Sequence, residues 1–156
     1  MLEGLSPIHS KNARLLILGS MPSPASLEAQ QYYAFSTNAF WKILGRILGA
    51  AETYAAKKRL LIDNRIALWD VIAFCERKGA LDSAIKKEVY NDLPCFLKEH
   101  TEIERVLLNG EKAERAFLRC MKKTGFDIPY TRLPSTSAGL TMPFEEKLRI
   151  WKEALS

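Results

Sequence analysis

Hydrophobic positions along this chain follow two spacings. Leu15-Leu16-Ile17-Leu18, Ile66-Ala67-Leu68-Trp69 and Val106-Leu107-Leu108 are short unbroken apolar runs. Runs of this length suit strands buried on both faces of a parallel sheet. They predict strands over 14–18, 66–69 and 106–108, and residues 128–133 supply a fourth. Between the runs, apolar residues recur three and four apart, as a helix with one buried face requires. Phe40, Ile43, Leu44, Ile47 and Leu48 predict a helix over 39–48, with Asn38 as its N-cap and Gly49 at its end. Ala113, Ala116, Phe117, Cys120 and Met121 predict another over 111–123, closed by Gly125. Phe144, Leu148, Trp151 and Leu155 mark the last, from 143 to 155. Shorter helices are predicted over 53–63 and, capped by Asp92, over 93–99. One or two helical turns fit within 23–31. Residues 73–90 show neither period and read as irregular, with a turn at 76–79 and a short helical piece near Asp82-Ser83.

Strands alternating with helices give a parallel sheet covered on both faces, a three-layer α/β/α sandwich around four strands. The chain reads as a single domain over 1–156, with 1–13 as an N-terminal arm. In a parallel sheet all carboxyl ends of strands reach one edge, where open α/β sheets bind ligands. The groups expected there are Gly19-Ser20, Asp70, Asn109-Gly110 and the tract Ser135-Thr136-Ser137. Tyr33 and Phe35, in the loop after the first strand, offer stacking surfaces for a planar ligand.

Composition narrows this little. Lys and Arg number 23 against 18 acids, a net charge of +5 that permits a polyanionic partner without requiring one. Cys75, Cys95 and Cys120 are far apart and form no Cys/His cluster, so no metal, iron–sulfur or disulfide framework is expected. Reduced thiols and a cytoplasmic location fit this pattern. No apolar run approaches the ~20 residues of a membrane span, and none resembles a signal peptide.

The candidate chemistry excludes more. There is no G-x-G-x-x-G and no G-x-x-x-x-G-K-[ST], and prolines stand where a phosphate cradle needs glycines. Ser20, Ser135 and Ser137 are hydroxyls at strand ends. His9 and His100 lie away from every such end, so a serine nucleophile would lack its base.

The loop GSMPS, the tract YYAFSTNAFW and the loop LPSTSAG resemble the uracil-DNA glycosylase superfamily, and most of all its hypoxanthine-DNA (deoxyinosine) glycosylase branch. ALWDVI and VLLNG extend the resemblance over about residues 14–155. It implies a glycosylase that flips a deaminated base from DNA and hydrolyses its N-glycosidic bond, leaving an abasic site. No cofactor is implied, the partner is DNA carrying deaminated bases, and a monomer associated with the nucleoid through DNA is expected. By the same resemblance Met21 occupies the place of a water-positioning Asn or Asp, and Leu133 that of a base-contacting His or Asn. The catalytic role passes to Asn38, which matches a later Asn, and Tyr33 matches the aromatic that stacks on the extruded base.

The site expected on this reading has Asn38 orienting water. Gly19, Ser20, Met21, Tyr33, Phe35, Asp70 and Asn109 surround the base, and Ser23, Ser135, Thr136, Ser137 and Leu140 face the DNA. Alternatives on the same fold are a uracil- or mismatch-directed glycosylase and a non-catalytic module that binds lesion DNA.

Overall fold

The computed structural model describes residues 1–156. Four parallel strands form its centre: β2 (Leu15–Gly19), β3 (Ile66–Asp70), β6 (Arg105–Asn109) and β7 (Tyr130–Leu133), in the order β3-β2-β6-β7. The apolar runs are strands because alternate residues serve two cores. Leu16, Leu18, Val106 and Leu108 enter one core, and Leu15, Ile17 and Leu107 enter the other. Helices α4 (Leu93–Glu99) and α5 (Glu111–Met121) cover the first face through Leu93, Phe96, Ala113 and Phe117. Helices α2 (Phe40–Leu48), α3 (Tyr54–Asp63) and α6 (Phe144–Leu155) cover the second through Phe40, Ile43, Leu61 and Trp151. This is the α/β/α sandwich expected, and a short α1 (Pro24–Ala29) precedes α2.

Register brings the strand ends level. Gly19 pairs with Asp70, and Asn109 with Leu133. The chain leaves β2 to one side for β3 and later returns on the other side as β6. The edge beside Gly19 is therefore the point where strand order reverses, which leaves a crevice.

Two sequence expectations change. Residues 73–90 are ordered: β4 (Ile72–Glu76) and β5 (Lys86–Tyr90) pair antiparallel, with β1 (Leu2–Glu3) on the other side of β4. Register shifts between Ile72 and Phe74, and again between Phe74 and Glu76, break the alternation a strand would show in sequence. The arm thus belongs to this second sheet, and Ile8 also bridges to Leu68. Asn38 stands one residue outside the N-cap of α2, which is Ala39. Its Oδ1 still accepts from the Phe40 N–H at 3.0 Å, so it caps the helix from one position further out.

Candidate active site

Asn38 and all the residues expected around the base or facing the DNA line one cavity of about 330 Å³ at the carboxyl edge of the central sheet, whereas Gly110 and Leu133 do not. That volume is in the range of small-ligand sites. No histidine, cysteine or lysine lines it. His9 and His100 instead bond to each other at 2.9 Å, beside Phe96.

Tyr33 is held most firmly. Its backbone is left-handed, φ 54°, a conformation that costs a non-glycine residue about 1 kcal/mol or more. Neighbouring bonds impose it. The Tyr32 carbonyl accepts from Trp41 Nε1 at 2.7 Å, the Tyr32 N–H donates to Tyr54 Oη, and the Ala34 N–H donates to Ser26 Oγ. One face of the Tyr33 ring stacks on Phe40, with centroids 4.1 Å apart. Burial, then the charge of Asp70, raises its pKa, so the phenol stays neutral.

Asn109 fixes the opposite wall. Its Nδ2 donates to Tyr33 Oη and to Thr136 Oγ1, both at 3.0 Å, and its Oδ1 accepts from the Thr136 N–H. The Thr136 amide can only donate, which sets the orientation of the carboxamide. Both Asn109 N–H groups are thus engaged inside the protein. Thr136, expected to face DNA, is 1% exposed and serves this network. Met21 and Leu133 are buried in the two cores, Met21 bordering the cavity through its apolar side chain. Ser23 caps α1, accepting from the Ser26 N–H. Ser20 donates to Asp82. Ser135 and Ser137 each close a tight turn by accepting a backbone N–H, and Phe35 and Leu140 stand exposed at the mouth.

Asp70 is the unusual member. It is 4% exposed, and its Oδ2 is sealed from solvent with no hydrogen-bond partner. Burial, aided by the charge of Asp82, pushes its carboxyl up to about 7. The unfolded chain releases this proton near the ordinary value of about 4. Between those pH values the unfolded state binds fewer protons than the folded one, so stability falls as pH rises through the window. Asp70→Asn, which keeps the shape without the charge, is expected to melt higher than the parent at about pH 8. Its advantage shrinks as pH falls towards about 4, a trend that thermal melts across the range would read. An advantage independent of pH would contradict the assignment.

The sequence pattern missed two contributors. The connection between β4 and β5 walls the cavity with Arg77, Leu81 and Asp82, and Arg77 Nη2 donates to the Pro22 carbonyl. Glu76-Arg77-Lys78-Gly79 carries only a turn signal, and its approach to the cavity depends on the hairpin. Lys147, on α6, is 4% exposed and donates to the carbonyls of Ser137 and Leu140. It ties down the loop that carries Leu140. Burial lowers its pKa. Nothing in sequence separates it from the solvated cations around it.

Known proteins resemble this chain in sequence and in fold. The family model of the uracil DNA glycosylase superfamily matches residues 7–155. Proteins named hypoxanthine DNA glycosylase from Methanosarcina barkeri and Methanosarcina acetivorans are 35% and 36% identical over 114 residues. Each match covers 71% of this chain and 72% of the relative. A solution NMR structure of a candidate uracil DNA glycosylase from Methanosarcina acetivorans superposes with a TM-score of 0.81 at 31% identity. It covers 98% of this chain and 95% of the other.

Proposed function

Because the chain belongs to the uracil DNA glycosylase superfamily, we propose that it hydrolyses the N-glycosidic bond of deoxyinosine in DNA, releasing hypoxanthine and leaving an abasic site. The observation that carries this reading is the cavity that gathers Asn38, Tyr33, Asp70 and Asn109, to which Met21 brings only a buried apolar side chain and from which Leu133 withdraws into the core. An enzyme without polar groups at those two positions lacks the pair that the resemblance ties to uracil. The two relatives named hypoxanthine DNA glycosylase support the same choice.

The duplex hides its bases, so the nucleotide must flip out at a cost of a few kcal/mol, less at a mismatched inosine pair. Tyr33 turns its free face to the flipped base, its other face being held by Phe40. Backbone N–H groups of Ser20, Met21 and Ser23 meet the polar edge. Hypoxanthine has a carbonyl where adenine has an amino group, so a donor there prefers inosine to adenosine. Ser135 and Ser137 contact the flanking phosphates, and Leu140 fills the space the base leaves.

Asn38 has no useful basicity and works by position. One lone pair of Oδ1 holds the Phe40 N–H, which fixes the carboxamide. The other accepts a hydrogen from water and aims its oxygen at C1′. Capping the helix and orienting the water are compatible, because one carbonyl oxygen serves both. No lysine lines the cavity to attack C1′, so hydrolysis is expected without strand cleavage.

Duplexes carrying a single inosine, uracil, xanthine or adenine, treated with alkali after incubation, test the reading. Inosine is expected to yield product fastest. Faster product from uracil supports a uracil- or mismatch-directed enzyme instead. Salt-sensitive binding to all lesions without product supports the lesion-binding module.

A further inference from the structure

Asp70 sits at the end of β3, level with Gly19 of the neighbouring strand, and lines the cavity. A Cβ on Gly19 would lie 2.5 Å from Asp70 Oδ1 and 2.8 Å from Tyr33 Oη. The carboxyl and the phenol therefore converge on the bare backbone of that strand end, beside the proposed base site. No cation compensates this carboxyl. Tyr32 and Tyr33 face it from the segment before α2, and Asp82 faces it from the β4–β5 connection. The one cationic side chain lining the cavity, Arg77, is bonded to the Pro22 carbonyl. Ser20, just after β2, and Asn109, at the end of β6, are uncharged.

A buried anion with a partnerless oxygen is costly, and a neutral acid is far less so. An anion here would also repel a base departing with negative charge, whereas a neutral acid can give that base a proton. Hypoxanthine offers this proton a site that uracil lacks, because N7 is the basic ring nitrogen of an N9-linked 6-oxopurine.

We infer that Asp70 is the general acid of the reaction, delivering its proton to N7 of the departing purine. The inference rests on the deoxyinosine reading. The C1′–N9 bond breaks with its electron pair remaining on the base. The Asp70 proton moves to N7, so hypoxanthine leaves neutral. The water held by Asn38 adds to C1′ and loses a proton to solvent, and Asp70 regains one from solvent when the site opens. The position of its carboxyl, pushed up to about 7, keeps a large protonated fraction at neutral pH.

The test is single-turnover excision of deoxyinosine at saturating enzyme, followed from about pH 5.5 to 9. The rate is expected to be level at low pH and to fall about tenfold per pH unit above its inflection. Asp70→Asn is expected to be about 100-fold slower at the low end and flat across the range. The 7-deaza analogue, which has no N7, is expected to be excised slowly by the parent and no more slowly by Asp70→Asn. A purely structural role for Asp70 would not distinguish the two substrates. A flat parent profile, or rapid excision of the 7-deaza analogue, overturns the inference and leaves the substrate reading intact. These two arms use the parent protein, so they decide even where the variant fails to fold. Failure to release hypoxanthine at any pH overturns the substrate reading and the inference with it.

Discussion

Asn38→Ala is expected to slow single-turnover release of hypoxanthine by about 100-fold or more while leaving a folded protein. The substitution removes one structural bond and one catalytic one. The side chain gives the fold one hydrogen bond, from the Phe40 N–H to Oδ1, at the start of α2. Losing such a cap costs about 1 kcal/mol. The helix keeps its buried face of Phe40, Ile43 and Leu44, which holds it against the sheet. Activity loses more, because an unheld water must be found and oriented at each turnover, and misplacement of about 1 Å costs about 100-fold. Asn38→Asp keeps both acceptor roles of that oxygen, so the melting temperature and the rate should each stay closer to the parent's than in Asn38→Ala. Melts and single-turnover rates on the same preparations check both. A variant that melts lower and excises at the parental rate would leave Asn38 as a helix cap alone.

Gly19→Ala is expected to reduce excision about 10- to 100-fold, with a smaller loss of stability of about 1–3 kcal/mol. The added methyl carbon meets Asp70 Oδ1 at 2.5 Å and Tyr33 Oη at 2.8 Å, closer than non-bonded atoms approach. Something must move. Both atoms end side chains, but neither side chain is free. Tyr33 is stacked on Phe40 and bonded to Asn109, and Asp70 is enclosed at the end of β3. Displacing them moves the stacking face and the carboxyl together, without touching either residue's chemistry. Gly45→Ala is the natural control. It lies inside α2 with its nearest neighbour 3.9 Å from the new Cβ, so it should excise normally and melt at or above the parent. Parental rates for Gly19→Ala would mean that the strand end is not where the base sits.

The parallel sheet was legible because its strands are buried on both faces. Leu15 to Leu18 has no polar residue to confuse the period, and neither has Val106 to Leu108. Once the strands are parallel, the meeting of Gly19, Asp70 and Asn109 at one edge follows from topology rather than from sequence spacing. The second sheet was not legible. β5 is Lys-Lys-Glu-Val-Tyr, a mostly exposed edge strand that reads as a polar loop, and the shifted register of β4 hides its alternation. Its hairpin brings Arg77 and Asp82 to the cavity. Asp82 in turn helps hold the Asp70 proton, so that property could not be inferred from the segment ALWDVI.

The state of Asn109 was hidden for a similar reason. Its residue type marks it as a contact for a base, but the Thr136 amide and the Tyr33 hydroxyl reach it from distant segments and engage it. Lys147 belongs with it. On a helix that opens with Glu145 and Glu146 it looks like a solvated cation, and only the return of the 137–140 loop buries it. For Asn109 the missing information was contact with segments far apart in sequence, and for Lys147 the fold-back of the loop just before its helix.

The decisive assay takes a duplex with one deoxyinosine opposite thymine, incubates it with excess protein and follows the products by mass spectrometry. Free hypoxanthine is expected in amounts equal to the abasic sites formed, with the strand intact until alkali is added. An intact deoxyinosine strand after prolonged incubation, with protein that is folded and bound to the duplex, would contradict the proposed activity.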